Sequence, residues 1–154
     1  MEPIWLSRTA VDLIHEDQRR QYGGNVGVLN EGGIESALSL ASNRFSYTGA
    51  DLFECAACYV FGLARNYGSQ DTNKRTAYMS GWTFLRLNGW FVRATPDDVV
   101  RLMLDVATDI VDAAVIAAWL RARAVPPPAA LAQRRRISRE SPLRRLRGPL
   151  PHRA

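Results

Sequence analysis

Residues 50–66 constrain this chain more than any other stretch, because a helix drawn through them is apolar on every side. Leu52, Phe53, Cys55, Ala56, Val60, Phe61, Leu63 and Ala64 fall all around it. Such a segment has no polar face to offer water, so other elements must surround it, and it predicts the buried central helix of a bundle. Acids stand at its start (Asp51, Glu54) and a base at its end (Arg65), the order that a helix dipole favours. A chain of 154 residues can enclose such a helix in one core. It contains no run of about eighteen apolar residues, the length a membrane span requires. The opening Met1-Glu2-Pro3-Ile4-Trp5 lacks the basic start and apolar run of a secretory signal, so the expected location is the cytoplasm.

The partners of the central helix follow from period and punctuation. Ser7 can cap a first helix that runs to about Tyr22, with Ala10, Val11, Leu13 and Ile14 as its apolar stripe. Gly23-Gly24 stops it. A Gly- and Asn-rich loop leads to a short helix at about 33–43, where Ile34, Ala37, Leu38 and Ala41 recur at helical spacing. After the central helix comes a polar break, 66–70, and then a helix at about 72–88 that Asp71 can cap and Asn88-Gly89 can close. Residues 90–94 read as extended. Thr95-Pro96-Asp97-Asp98 combines a cap, a proline at the first position and acids in the first turn, and Asp112 can cap a last helix ending near Arg123. Pro126-Pro127-Pro128 ends all helix. The expected architecture is all-α: a bundle-type domain of six helices over 1–124, then an extended or disordered Arg/Pro-rich tail over 125–154.

The formal charge of +5 is unevenly divided. The tail carries eight arginines against the single acid Glu140, a local charge of +7, whereas residues 1–124 hold 12 basic and 14 acidic side chains, a charge of −2. The basic character therefore belongs to the tail and does not mark the folded body as a nucleic-acid-binding domain. The tail itself reads as a solvated appendix rather than a nucleic-acid contact. Cys55 and Cys58 form one CxxC in the middle of the central helix. Zinc would need about four ligands, and a redox pair would sit at a helix start, where thiol pKa falls. Two small buried side chains are the expectation.

Chemistry concentrates in one run, Asp71-Thr72-Asn73-Lys74-Arg75-Thr76. The chain has nineteen arginines and one lysine, and that lysine is Lys74. A compact ammonium serves as a point charge for phosphate where a planar guanidinium needs more room. The run falls on an expected helix start, where unpaired amides and the positive dipole end attract anions. Asp71 is the one nearby acid and suits Mg²⁺, a hard cation that takes oxygen ligands. These are the parts of a nucleotide-phosphate cradle. The same residues would also serve as an ordinary cap and a solvated first turn.

The run from Ala64 to Ala77, Ala-Arg-Asn-Tyr-Gly-Ser-Gln-Asp-Thr-Asn-Lys-Arg-Thr-Ala, resembles the signature of the Fic/Doc (death-on-curing) toxins, His-x-Phe-x-Asp-x-Asn-Lys-Arg-Thr. Tyr22-Gly23-Gly24, Asp51-Leu52-Phe53-Glu54 and Phe84-Leu85-Arg86-Leu87-Asn88-Gly89 match in order, so the similarity spans about 4–123 and leaves the tail outside. The resemblance implies a Fic/Doc-type helical fold and a toxin of a toxin–antitoxin system, with an antitoxin protein as partner. It further implies transfer of the terminal phosphate of ATP to a threonine of elongation factor Tu. Wider relatives transfer AMP, but they usually carry Gly where this chain has Lys74. By position, Asn73, Lys74 and Arg75 would hold the triphosphate and Asp71 would serve Mg²⁺ or transition-state alignment.

Two positions depart from the signature. Tyr67 stands where the family has its histidine general base, and Ser69 stands where it has an apolar phenylalanine. A general base works best with a pKa near ambient pH, which suits His at about 6.5 and not Tyr at about 10. Loss of the base typically costs about 10²–10⁴-fold in rate. His15 reads as a structural residue of the first helix and His152 lies in the tail, so neither replaces it. The expectation is a phosphotransferase fold that binds nucleotide but turns over poorly. The alternative is a non-catalytic pseudo-toxin that occupies an antitoxin or a translation factor.

Overall fold

A computed structural model describes residues 2–23, 31–66 and 71–126, with backbone alone at 66 and 71–73. Six helices account for nearly all of it: α1 (Arg8–Tyr22), α2 (Glu31–Thr48), α3 (Leu52–Asn66), α4 (Asp71–Leu87), α5 (Pro96–Ala107) and α6 (Ala113–Arg123). Two short strands, β1 (Phe91–Val92) and β2 (Ala124–Val125), pair antiparallel with Phe91 opposite Val125 and Val92 opposite Ala124. The all-α expectation holds.

Helix α3 is the hub. It packs chiefly against α4, α2 and α6, and more lightly against α5, and every residue from Cys55 to Val60 is buried. Its start is fixed by a reciprocal cap: Asp51 accepts from the Glu54 amide (2.8 Å) while Glu54 accepts from the Asp51 amide (2.8 Å). Arg121 of α6 reaches the same Asp51 at 2.7 Å. The two cysteines are free and fully buried, and burial pushes the Cys55 thiol up to about 12, far from a reactive thiolate.

Three of the expected caps form, while Asp71, expected to cap the fourth helix, is instead the first residue of α4. Ser7 accepts from the Ala10 amide, Thr95 and Asp98 make a capping box with Pro96 behind them, and Asp112 accepts from the Val115 amide. The N-terminal segment is clamped onto the core: Asn88 exchanges two hydrogen bonds with the backbone of Ile4, the Leu6 amide donates to the Tyr59 hydroxyl, and the Trp5 ring stacks on Phe84 at 5.7 Å.

The structure departs from the sequence expectations at two further places. Helix α2 runs from Glu31 to Thr48, not 33–43. Its last turns present Asn43, Arg44, Ser46 and Tyr47 to solvent, so the apolar period fades there while Phe45 still packs edge-on against Trp5. The residue after it, Gly49, takes φ 65° and ends the helix. Val125, placed in the tail by the Pro-rich run, belongs instead to β2 opposite Phe91. Residues 127–154 lie outside the described part.

Candidate functional site

The site residues are set by how α4 begins. Asp71 opens α4, so the run read as an anion cradle does occupy the first turns of a long helix, where the leading amides have no intrahelical acceptor. Lys74 and Arg75 are both half-buried. They line a cavity of about 230 Å³ whose far wall is α5, through Val99, Val100, Met103 and Leu104. Lys74 and Met103 also line a second cavity of about 340 Å³, with Ala64 and Arg65 at the end of α3 and Val106, Ala107 and Asp109 at the end of α5. Because the two spaces share Lys74 and Met103, they form one cleft. It is bounded by the end of α3, the start of α4 and the length of α5.

The cleft stays open because α5 packs only lightly on α3 and α4. Its floor is apolar, and Val100 and Leu104 remain more than half exposed on its rim. Cations set against apolar walls interact with an incoming anion through less water, which strengthens the attraction.

Arg75 is oriented by a neighbour on α1. The Arg75 guanidinium lies 4.8 Å from the centre of the Tyr22 ring, the last residue of α1. Gly23 follows at φ 77°, a turn that suits a residue without Cβ. Behind them, His15 Nδ1 of α1 lies 3.2 Å from Oγ1 of Thr76, which is fully buried, and Ser80 Oγ donates to the Thr76 carbonyl at 2.7 Å. Burial lowers the His15 pKa from 6.5, against the opposing pull of Glu16 and Asp12. Helix α1 therefore buttresses the first turns of α4. This is the structural role expected of His15.

Tyr67 and Ser69 lie outside the described residues. Asp71 and Asn73 are placed by backbone only, in the first turn of α4. Among the described residues no three His, Cys, Asp or Glu side chains converge on a metal ion, and no helix is long and apolar enough to cross a membrane.

Two charged residues of the cleft were not singled out from the sequence. Arg65 had an adequate explanation as a favourable charge at the end of α3, and Asp109 belongs to no motif in the sequence. Tertiary folding makes them neighbours, with Arg65 Nη2 2.5 Å from Asp109 Oδ1. Nothing in linear spacing connects positions 44 residues apart.

No family model matches the chain. Two characterised proteins are similar to it over most of their length. A protein named protein kinase doc, of Escherichia phage P1, is 34% identical over 109 residues, which is 70% of this chain and 86% of that protein. Toxin Doc of Mycolicibacterium smegmatis is 39% identical over 107 residues, 64% of this chain and 79% of the relative. With identities at this level across most of both relatives, the chain belongs to the Doc family of toxins.

Proposed function

We propose that this chain is the toxin of a toxin–antitoxin pair, built to bind ATP in the α3–α4–α5 cleft and to transfer its terminal phosphate to a hydroxyl of a translation factor, elongation factor Tu. We further propose that turnover is severely impaired as the sequence stands. The observation that carries the reading is the placement of Lys74 and Arg75, within the stretch that matches the Doc signature, on the wall of an open cleft at a helix start. One similar protein is itself named a protein kinase.

In such a transfer the substrate hydroxyl oxygen attacks the terminal phosphorus, the bond to the bridging oxygen breaks, ADP leaves and the hydroxyl proton must go to a base. Lys74 and Arg75 would hold and neutralise the phosphate chain, with Asn73 and the leading amides of α4 beside them. A Mg²⁺ would fit Asp71, since magnesium commonly takes one carboxylate with phosphate oxygens and water for the rest. Bound there, it would neutralise charge on the phosphates. Tyr67, at the position of the family histidine, would be a poor acceptor for the proton at neutral pH. Binding and turnover therefore separate.

Calorimetry with MgATP tests the first half, and binding that Lys74→Gln abolishes is the expected result. Expression of Tyr67→His, alone and with Ser69→Phe, tests the second: growth arrest and phosphate labelling of a translation factor should return. A double variant that binds nucleotide yet labels nothing in a lysate would overturn the transfer reading. The substitution of Tyr67 also favours a second reading, a pseudo-toxin that acts by binding alone. Tight binding of an antitoxin peptide, together with no nucleotide binding, would select it.

A further inference from the structure

The cleft holds a third cation, Arg65, and its position is unlike that of the other two. Its guanidinium lies over the Phe61 ring at 4.4 Å and meets Asp109 at the end of α5. Arg65 and Lys74 line the same 340 Å³ cavity from different helices. The contact with Asp109 engages one nitrogen, whereas a guanidinium carries five N–H donors arranged in a fork.

Asp109 is the more telling member of the pair. Among the described residues it is the one non-glycine with positive φ, at 58°. The backbone explains the conformation but not the side chain. Helix α5 ends with the Ile110 amide bonded to the Asp105 carbonyl (3.0 Å) and the Asp109 amide bonded to the Val106 carbonyl (3.3 Å), the paired pattern that places a left-handed residue just past the helix. Helix α4 ends the same way, with the Trp90 amide on the Leu85 carbonyl (2.9 Å) and the Gly89 amide on the Arg86 carbonyl (3.2 Å). There the left-handed residue is glycine, at φ 103°, which takes the conformation without steric cost. The fold therefore needs a turn at 109 but not a carboxylate. The Arg65 and Asp109 side chains are 53% and 72% exposed, and an ion pair that open to solvent stabilises a fold very little. What the carboxylate does is occupy a cation that faces the cleft.

We infer that Arg65 is a further phosphate-binding residue of the cleft and that Asp109 is its latch, holding the guanidinium until a polyphosphate displaces the carboxylate. This rests on the reading of the cleft as a phosphate site and adds a residue and a control to it. The displacement is chemically reasonable, because a phosphate chain offers the fork several oxygens and more negative charge than one carboxylate. With Phe61 holding the guanidinium plane, a short swing of the planar group from Asp109 towards Lys74 would suffice. The latch also weakens binding of singly charged anions, which cannot outbid Asp109.

Calorimetric titration of the full chain with inorganic tripolyphosphate and with MgATP, at low salt, tests this. Asp109→Asn removes the charge and keeps a residue that tolerates the left-handed region, so melting should be unchanged. It should tighten both ligands about three- to tenfold, and Arg65→Gln should weaken them by a similar factor. The Asp109→Asn, Arg65→Gln double variant should match Arg65→Gln, because a latch has nothing to release once its partner is gone. If Asp109→Asn tightens binding equally in the Arg65→Gln background, Asp109 acts only through its general field and the latch is overturned. Binding that depends on Lys74 but ignores both Arg65 and Asp109 also sinks the latch while the phosphate site stands. No binding of either ligand by any variant sinks both.

Discussion

His15 shows how one side chain couples helix α4 to solution conditions. It is half-buried on α1, with Nδ1 at 3.2 Å from the buried Thr76 hydroxyl of α4. Burial favours the neutral ring and lowers the pKa below 6.5, outweighing Glu16 and Asp12, which favour the charged form. The folded protein thus binds the proton less readily than the unfolded chain. The contribution to stability is complete above 6.5 and is lost as the pH falls from there through the folded pKa. Melting temperature recorded from pH 7.5 down to 5 should fall for the parent and stay nearly level over that range for His15→Gln. Equal slopes would show that another group is responsible. At this scale the sequence was legible where composition singled a residue out, as the lone Lys74 did, and opaque where the meaning lies in a contact. Asp109 has no distinguishing neighbour in the chain. Only its left-handed backbone and its contact with Arg65 set it apart.

Elements were legible in proportion to how strongly one end or one face was marked. The capped starts of α1, α5 and α6 were readable because a short polar side chain at a helix start has one obvious use, to accept from an orphan amide. The length of α2 was not, because its last turns carry solvent-facing polar residues and stay helical through context. The β1–β2 pair was half legible: residues 90–94 read as extended, but the partner strand sits beyond α6. What positions the cleft most is the close contact of α3 and α4, and Gly81 permits it. A Cβ added at Gly81 would lie 2.5 Å from the Val60 methyl Cγ2 and 3.0 Å from the Ala56 carbonyl oxygen. Gly81→Ala must therefore push α4 off α3. Overpacking of this kind costs about 1–3 kcal/mol, so the melting temperature should drop by several degrees. Because Ala56 contributes a backbone atom, trimming Val60 to Ala should recover only part of the loss. No loss in the single variant would mean that the helices are not in contact there, and full recovery would mean that the Val60 methyl alone makes the contact. The displaced α4 carries Lys74 and Arg75 with it, so MgATP affinity should weaken in step with stability.

Across the whole molecule, charge is separated between the body and the tail. Residues 127–154 contain all eight tail arginines, and the helical body is mildly acidic overall. The cleft cations Arg65, Lys74 and Arg75 lie within a body whose summed charge does not attract polyanions at a distance, so the binding proposed for them has to rest on local contacts. Long-range attraction belongs to the tail, and it follows counterion release: affinity for a polyanion falls with salt in proportion to the charges engaged. The last strand pairing among the described residues is Phe91 with Val125, so truncation after Pro126 removes the arginines and leaves every described helix and strand intact. The truncated body should melt within a degree or two of the full chain. On immobilised heparin at low salt the full chain should be retained and should elute on a salt gradient, while the body should pass through. MgATP affinity at moderate salt should be the same for both. Retention of the body alone would show that the three cleft cations reach a polyanion unaided. A loss of MgATP binding on truncation would place the tail in the site, and the division of labour drawn from charge would then fail.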